Sequence, residues 1–221
     1  GFVQFTDFGA MAFEATPSDT LGYVYISNLG IENSYVLFYG VTGAIAGCSG
    51  SIIDLRMCGG SGIEFNAHVF SGRFITESVP AYYRAFRTGP GRCDMGEMEE
   101  VITYKNGSWQ FTNPVVLLTG RGTQGAAEQF ALLLSTQENV TVIGDTTAGF
   151  ANPSVSFNLT EDYTIEIPEM VTYFLDGTLV LNKGIAPDIF IPVSEADFTA
   201  EVDPVIDAAI DILLQQTVTE R

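Results

Sequence analysis

Positive charge is scarce in this sequence. Its 221 residues carry 9 Lys plus Arg against 27 Asp plus Glu, a formal net charge of −18, and one histidine, His68. Only Lys105 and Lys183 are lysines. So few cations cannot form a phosphate-neutralising face, which excludes nucleic acid as a partner. A polybasic membrane-surface anchor is excluded on the same ground. Zinc sites built on two or three histidines cannot exist, and three cysteines cannot make a four-cysteine site. No metal and no cofactor is expected. Cys48, Cys58 and Cys93 allow at most one disulfide, with one thiol left over. No signal peptide is recognisable in the sequence, and its abrupt opening at Gly1-Phe2-Val3 reads as a processing end rather than a native start.

A long apolar run suited to a membrane is also missing. Asn33 to Ile53 is uncharged, but Gly40, Gly43, Gly47 and Gly50 dilute it, and it runs straight into Asp54 and Arg56. A small-residue helix feeding a buried strand is the expectation, with no membrane span. What is present is an ordinary apolar fraction of 46% with sparse charge, 16%. That is enough to build a core, so disorder is not expected. The whole chain, 1–221, reads as a single domain.

Leu21 to Ile26 alternates like a strand. Helix-like Ser34 to Gly47 leads to a short apolar strand, Ser51 to Arg56, then the turn Met57-Cys58-Gly59-Gly60-Ser61-Gly62. A helix is expected around Glu64 to Phe74, with Phe65, His68, Val69 and Gly72 on one face. Residues 88–108 carry repeated turn signals and read as an excursion. Order resumes with strand Pro114 to Leu118, a turn, and a helix from about Gln124 to Leu134 whose inner stripe is Ala127, Phe130, Ala131 and Leu134. Strand Val140 to Ile143 follows, then further strands such as Tyr163 to Ile167. Asp203-Pro204 is an N-cap followed by proline at the first helical position, opening a helix with Val205, Ala208, Ala209 and Ile212 inward. Two strand–turn–helix units argue for a parallel α/β core with extra β structure at both ends. Their glycine turns, 58–62 and 120–124, should meet at the carboxyl edge of the sheet, where free N–H groups can cradle an oxyanion.

Ile52-Ile53-Asp54-Leu55-Arg56-Met57-Cys58-Gly59-Gly60-Ser61 resembles the "IIDLRxNxGG" segment of the C-terminal processing, or tail-specific, serine peptidases. Pro114 to Leu118 with Thr123 to Glu128 resembles their "PVVVL…N..T.SAAE", and Val142 to Gly149 their "VIGexTaG". Asp176-Gly177-Thr178 and Lys183 to Asp188 resemble "dGt…kGI.PDi", and Asp203 to Leu213 resembles the closing "D.vld.Ai..L" helix. The matches run in order over about 21–215. The resemblance implies a crotonase-like (Clp-protease-type) β/α core with additional β-strands. The family's preceding helical region and PDZ domain are not recognisable. It further implies endoproteolysis through an acyl-enzyme, a polypeptide substrate or ligand such as a protein C-terminus, and a secreted, periplasmic or cell-envelope location. Carried over by position, the oxyanion donors are the N–H groups of Gly59 or Gly60 and of Ala126.

The departures fall on the reactive positions. The nucleophilic serine falls at Gly125, and the lysine of the Ser–Lys branch at Phe150. The two asparagines of these motifs are Cys58 and Gly120. In the tricorn-like branch the base is a histidine outside the core motifs, for which only His68 is available. Four changes over three loops read as relaxed catalytic selection. His68, beside Phe65 and Val69, reads as a satisfied core histidine rather than a base. Cys58 is a replacement nucleophile only if a base is positioned beside it. Lys183 reads as structural, Lys105 as solvated, and the hydroxyls of Ser61, Thr123 and Ser154 as unactivated. The acidic run Asp94 to Glu100 reads as a solvated loop, with calcium contact as the alternative. Two functional classes remain: a peptidase-family member without its nucleophile, or a non-catalytic peptide-binding or scaffold protein using the old cleft.

Overall fold

Two short strands buried on both faces set the centre of the molecule, because every side chain of 50–54 and 115–119 is removed from solvent. The computed structural model describes residues 3–4, 8–16, 19–30, 34–59, 64–91, 93–152 and 154–219. The first half runs β1 (Val3–Gln4), β2 (Phe8–Thr16), β3 (Asp19–Ile26), α1 (Ser34–Gly43), β4 (Gly50–Asp54), α2 (Glu64–Ser71), β5 (Pro80–Phe86) and β6 (Glu99–Ile102). The second runs β7 (Val115–Thr119), α3 (Ala126–Leu134), β8 (Val140–Gly144), β9 (Ser154–Asn158), β10 (Thr164–Pro168), β11 (Met170–Tyr173), β12 (Ile189–Phe190), α4 (Glu195–Thr199) and α5 (Pro204–Thr219).

The main sheet has the order β1-β2-β3-β4-β7-β8-β12. From β3 to β12 each neighbouring pair is parallel, while β1 and β2 add on antiparallel. The strand period of two sends alternate residues to opposite layers. Ile53, Val115 and Leu117 join Phe38, Phe70, Phe74 and Phe130 on one side. Ile52, Val116, Leu118 and Ile143 meet Val205, Ala209 and Leu213 of α5 on the other. A smaller antiparallel sheet, β11-β5-β6, and the hairpin β9–β10 complete the fold.

Several expectations need correction. The excursion at 88–108 contains β6, which pairs with β5, and Asp94 there accepts the N–H of Gly91 at 2.7 Å as part of a turn. α1 stops at Gly43, short of Gly47. α2 stops at Ser71, and Phe65 is 64% exposed, so it does not share a buried face with Val69; Asn66, Ala67, Val69, Phe70 and Ser71 point inward. α3 is buried along its whole length rather than along one stripe, because it lies under the sheet, α2 and β5. The inward line of α5 is Val205, Ala209 and Leu213, with Ala208 and Ile212 at its margin. All three cysteines are reduced, with Cys48 and Cys58 buried and Cys93 exposed.

A polar hub ties α5 to the sheet. Arg56 grips Asp54 with Nε and Nη2, at 3.0 and 2.7 Å, and reaches both oxygens of Asp203 at 2.9 Å. Tyr23 donates its hydroxyl to Asp54 at 2.9 Å. Asp203 is the expected cap, accepting the N–H groups of Val205 and Ile206 at 3.1 and 3.2 Å.

Candidate functional site

The two glycine turns do meet at the carboxyl edge of β4 and β7. Gln124 donates its N–H to the carbonyl of Cys58 at 3.0 Å, and the Thr123 hydroxyl donates to that of Leu55 at 2.9 Å. Only glycine fits at 122, where a Cβ would stand 2.4 Å from the carbonyl oxygen of Arg56. The turn after β8 joins them, since Ala148 donates to the carbonyl of Thr123 at 3.1 Å. All three loops that carry the reactive positions of the resemblance are thus hydrogen-bonded into one cluster.

Gly125 stands at the entry of α3 with φ +60° and ψ −122°. This is a left-handed backbone that side chains with a Cβ adopt at a cost, the kind of sharp turn that lifts a residue clear of a helix start. Its conformation is held by Glu128, one turn into α3 and fully buried. Glu128 Oε2 accepts the N–H groups of Gly125 at 3.3 Å and Phe150 at 2.7 Å. Its Oε1 accepts the Thr147 hydroxyl at 2.5 Å and the N–H of Gly149 at 2.7 Å. Burial pushes its carboxyl up, and these four donors pull against that shift without cancelling it. A glutamine there must aim its amide N–H₂ at one of the two donor pairs. Glu128→Gln should therefore lower stability by about 2–3 kcal/mol, read from urea denaturation.

Thr147 and Gly149 are fixed from the other side by the Lys183–Ile185 segment. Ile185 donates to the Thr147 hydroxyl at 2.8 Å, and Asn182 donates to the carbonyl of Gly149 at 3.0 Å. Lys183 itself is exposed at the surface of this turn. The "kGI" motif therefore braces the reactive loop.

Gly125, Ala126 and Phe150 come together at this cluster. Ala126 is the first residue of α3, and its N–H has no partner among the described residues. The N–H of Gly59 donates within its own turn to the carbonyl of Met57, at 3.1 Å. Gly60 and Ser61 lie outside the described residues. Phe150 is 57% exposed, with its backbone N–H fixed on Glu128. The Cys58 side chain is buried under the turn.

His68 stands in a different polar group. Its Nε2 lies 3.1 Å from the Tyr82 hydroxyl and 3.8 Å from Glu64, and its ring stacks on Tyr104. Burial alone would raise the Glu64 carboxyl, but His68, Arg84 and Tyr82 leave it below its usual range. These partners of His68 come from α2, β5 and the residues after β6, not from the glycine turns. Among the described residues, no group of three or more His, Cys, Asp and Glu is arranged to hold a metal.

Beside the glycine turns, at the same sheet edge but toward α5, lies a cleft of about 810 Å³. Arg56, Met57 and Gly122 line it together with Phe190, Val202 and Asp203.

The site is thus a sharp left-handed entry to a buried helix of an α/β core, with an N–H directly after it that has no partner among the described residues. The model of peptidase family S41 matches residues 20–191, and the chain belongs to that family. It is 28% identical over 143 residues to the carboxy-terminal processing protease CtpA of Bacillus subtilis (strain 168), a match covering 65% of this chain and 28% of CtpA. Its fold is shared with mature CPAF, at a TM-score of 0.78 and 10% identity, over 96% of this chain and 55% of that one. It is shared too with the photosystem II D1 C-terminal processing protease, at a TM-score of 0.61 and 18% identity, over 86% of this chain and 49% of that one. The chain thus spans about a quarter of CtpA and about half of these solved chains. The α/β core expected from the motifs is the fold observed. No helix among the described residues is long and apolar enough to cross a membrane.

Proposed function

We propose that this chain is a serine-type, tail-specific peptidase core in which the chemical groups of catalysis are missing while the architecture that positions them is kept. The observation that carries this reading is Gly125 in its +60°, −122° turn, locked by Glu128 to the loop that carries Phe150. A serine at 125 would present its hydroxyl from that turn, a lysine at 150 would take the proton, and the N–H of Ala126 would face the developing oxyanion. Glycine supplies no attacking atom and phenylalanine accepts no proton. Four donors satisfy the buried Glu128 carboxylate and tie the turn at 125 to the loop that carries Phe150.

The cleft supports a second reading, a non-catalytic peptide-binding or scaffold role. Its apolar lining residues and its place next to the turns suit an extended polypeptide end. A cell-envelope or extracellular location is proposed with either reading, on the strength of the motif resemblance.

Assay of the chain and of Gly125→Ser on casein and on a peptide with a free C-terminus tests the first reading. The unsubstituted chain is expected to leave both intact, and hydrolysis by it would overturn the assignment of Gly125. Silence of the Gly125→Ser, Phe150→Lys form as well, with measurable peptide binding, would favour the scaffold.

A further inference from the structure

Every residue from 154 to 169 is exposed, although this stretch forms the regular hairpin β9–β10. Its register places Val155 opposite Ile167 and Phe157 opposite Ile165, and the pairing continues with Leu159 beside Tyr163 at the tip. Because side chains alternate, these six lie on one face, while Ser154, Ser156, Asn158, Thr164 and Glu166 lie on the other. The apolar face is far from covered: Leu159 is 65% and Tyr163 69% exposed. A two-stranded ribbon is marginal in water, and a contiguous exposed apolar patch marks a contact surface.

Charge identifies what can cover it. Glu161, Asp162, Glu166 and Glu169 frame the ribbon, and no Lys, Arg or His occurs between Arg121 and Lys183. A second copy would bring the same carboxylates against these, on top of a net charge of −18 per chain. A partner that pairs apolar side chains with cationic ones meets both features. Among the described residues the ribbon also has an unpaired backbone edge on each strand, which an extended segment can join by strand addition.

The geometry points to the β9–β10 ribbon as a docking surface for an extended polypeptide segment in which apolar residues alternate with Lys or Arg. Added at an edge, its apolar side chains extend the Phe157–Ile165 face, and its cations fall on the opposite face beside Glu166. This assignment rests on the hairpin alone and does not depend on the chemistry at residue 125.

The test is fluorescence anisotropy with a labelled alternating Lys-Val peptide and an alternating Glu-Val control. The chain is compared with the Phe157→Ser, Ile165→Ser double variant, which has the same net charge. Both side chains are exposed, so the thermal unfolding of the variant should match that of the parent. The Lys-Val peptide should bind, bind less tightly as salt is added, and lose about tenfold or more in affinity to the variant. The Glu-Val peptide should not bind. Equal binding by the variant would mean general attraction to an acidic protein and would overturn the proposal, as would no binding by the parent. Sedimentation showing self-association of the parent that the variant abolishes would also overturn it, in favour of a second copy.

Discussion

Gly125→Ser combined with Phe150→Lys is expected to hydrolyse a peptide with a free C-terminus, at a rate that in alkaline solution is about 100-fold or more above either single variant. A positioned base contributes typically about 10²–10⁴ to such a step, and neither substitution alone supplies both nucleophile and base. The backbone at 150 is already fixed by its N–H on Glu128, so a lysine there projects from a defined origin. Residue 150 is more than half exposed, so burial lowers the lysine pKa little. The rate of the double variant should therefore climb toward alkaline pH, with no fall on that side until the protein unfolds. A steady-state assay across pH checks both statements. A double variant no faster than Gly125→Ser would show that the two positions do not cooperate.

Arg56→Ala should lower stability by about 3 kcal/mol, read from urea denaturation near pH 7, the lower end for a broken buried pair because Arg56 itself is 24% exposed. Removing it leaves Asp54, whose side chain is 5% exposed, as a buried charge without a counter-ion, held only by the Tyr23 hydroxyl on one oxygen and the backbone N–H of residue 56 on the other. It also frees Asp203, so that the first turn of α5 keeps its cap but loses its tie to the sheet. Asp54→Asn in the same chain should recover part of the loss, because the amide needs no counter-charge. The pH dependence has a definite sign. Burial pushes the Asp203 carboxyl up, but hydrogen bonds from Arg56 and from the N–H groups of α5 outweigh it, leaving the carboxyl below its usual range. A depressed native value means stability that is fully present above about pH 4 and lost as pH falls through the native value. The gap between parent and Arg56→Ala should therefore narrow in acid.

The alternation in Leu21 to Ile26, the apolar runs at 52 and 115 and the Asp203-Pro204 cap were legible as β3, β4, β7 and the start of α5, because each signal is local. β5 and β6 were not, since their pairing joins segments separated by the turn-rich 88–98 stretch. α3 gave an amphipathic signal although it is buried on all sides, because Glu128 and Gln129 are polar in sequence and dry in the fold. Glu128 was visible only as the last letter of a motif. Its partners lie about twenty residues on, and no spacing rule connects a helix residue to the backbone of a later turn. His68 meets Tyr82 and Tyr104 rather than the exposed Phe65, a meeting of separate elements that helical periodicity does not show.

The left-handed backbone at 125 also gives the sequence a direction of drift. In that conformation glycine is the relaxed residue, and any side chain added there costs on the order of 1–2 kcal/mol of stability. Loss of a residue with a Cβ at this position is therefore a downhill step and its return an uphill one. Once the turn has admitted glycine, selection on folding alone keeps it, and the route back opens only where catalysis is rewarded enough to offset that cost.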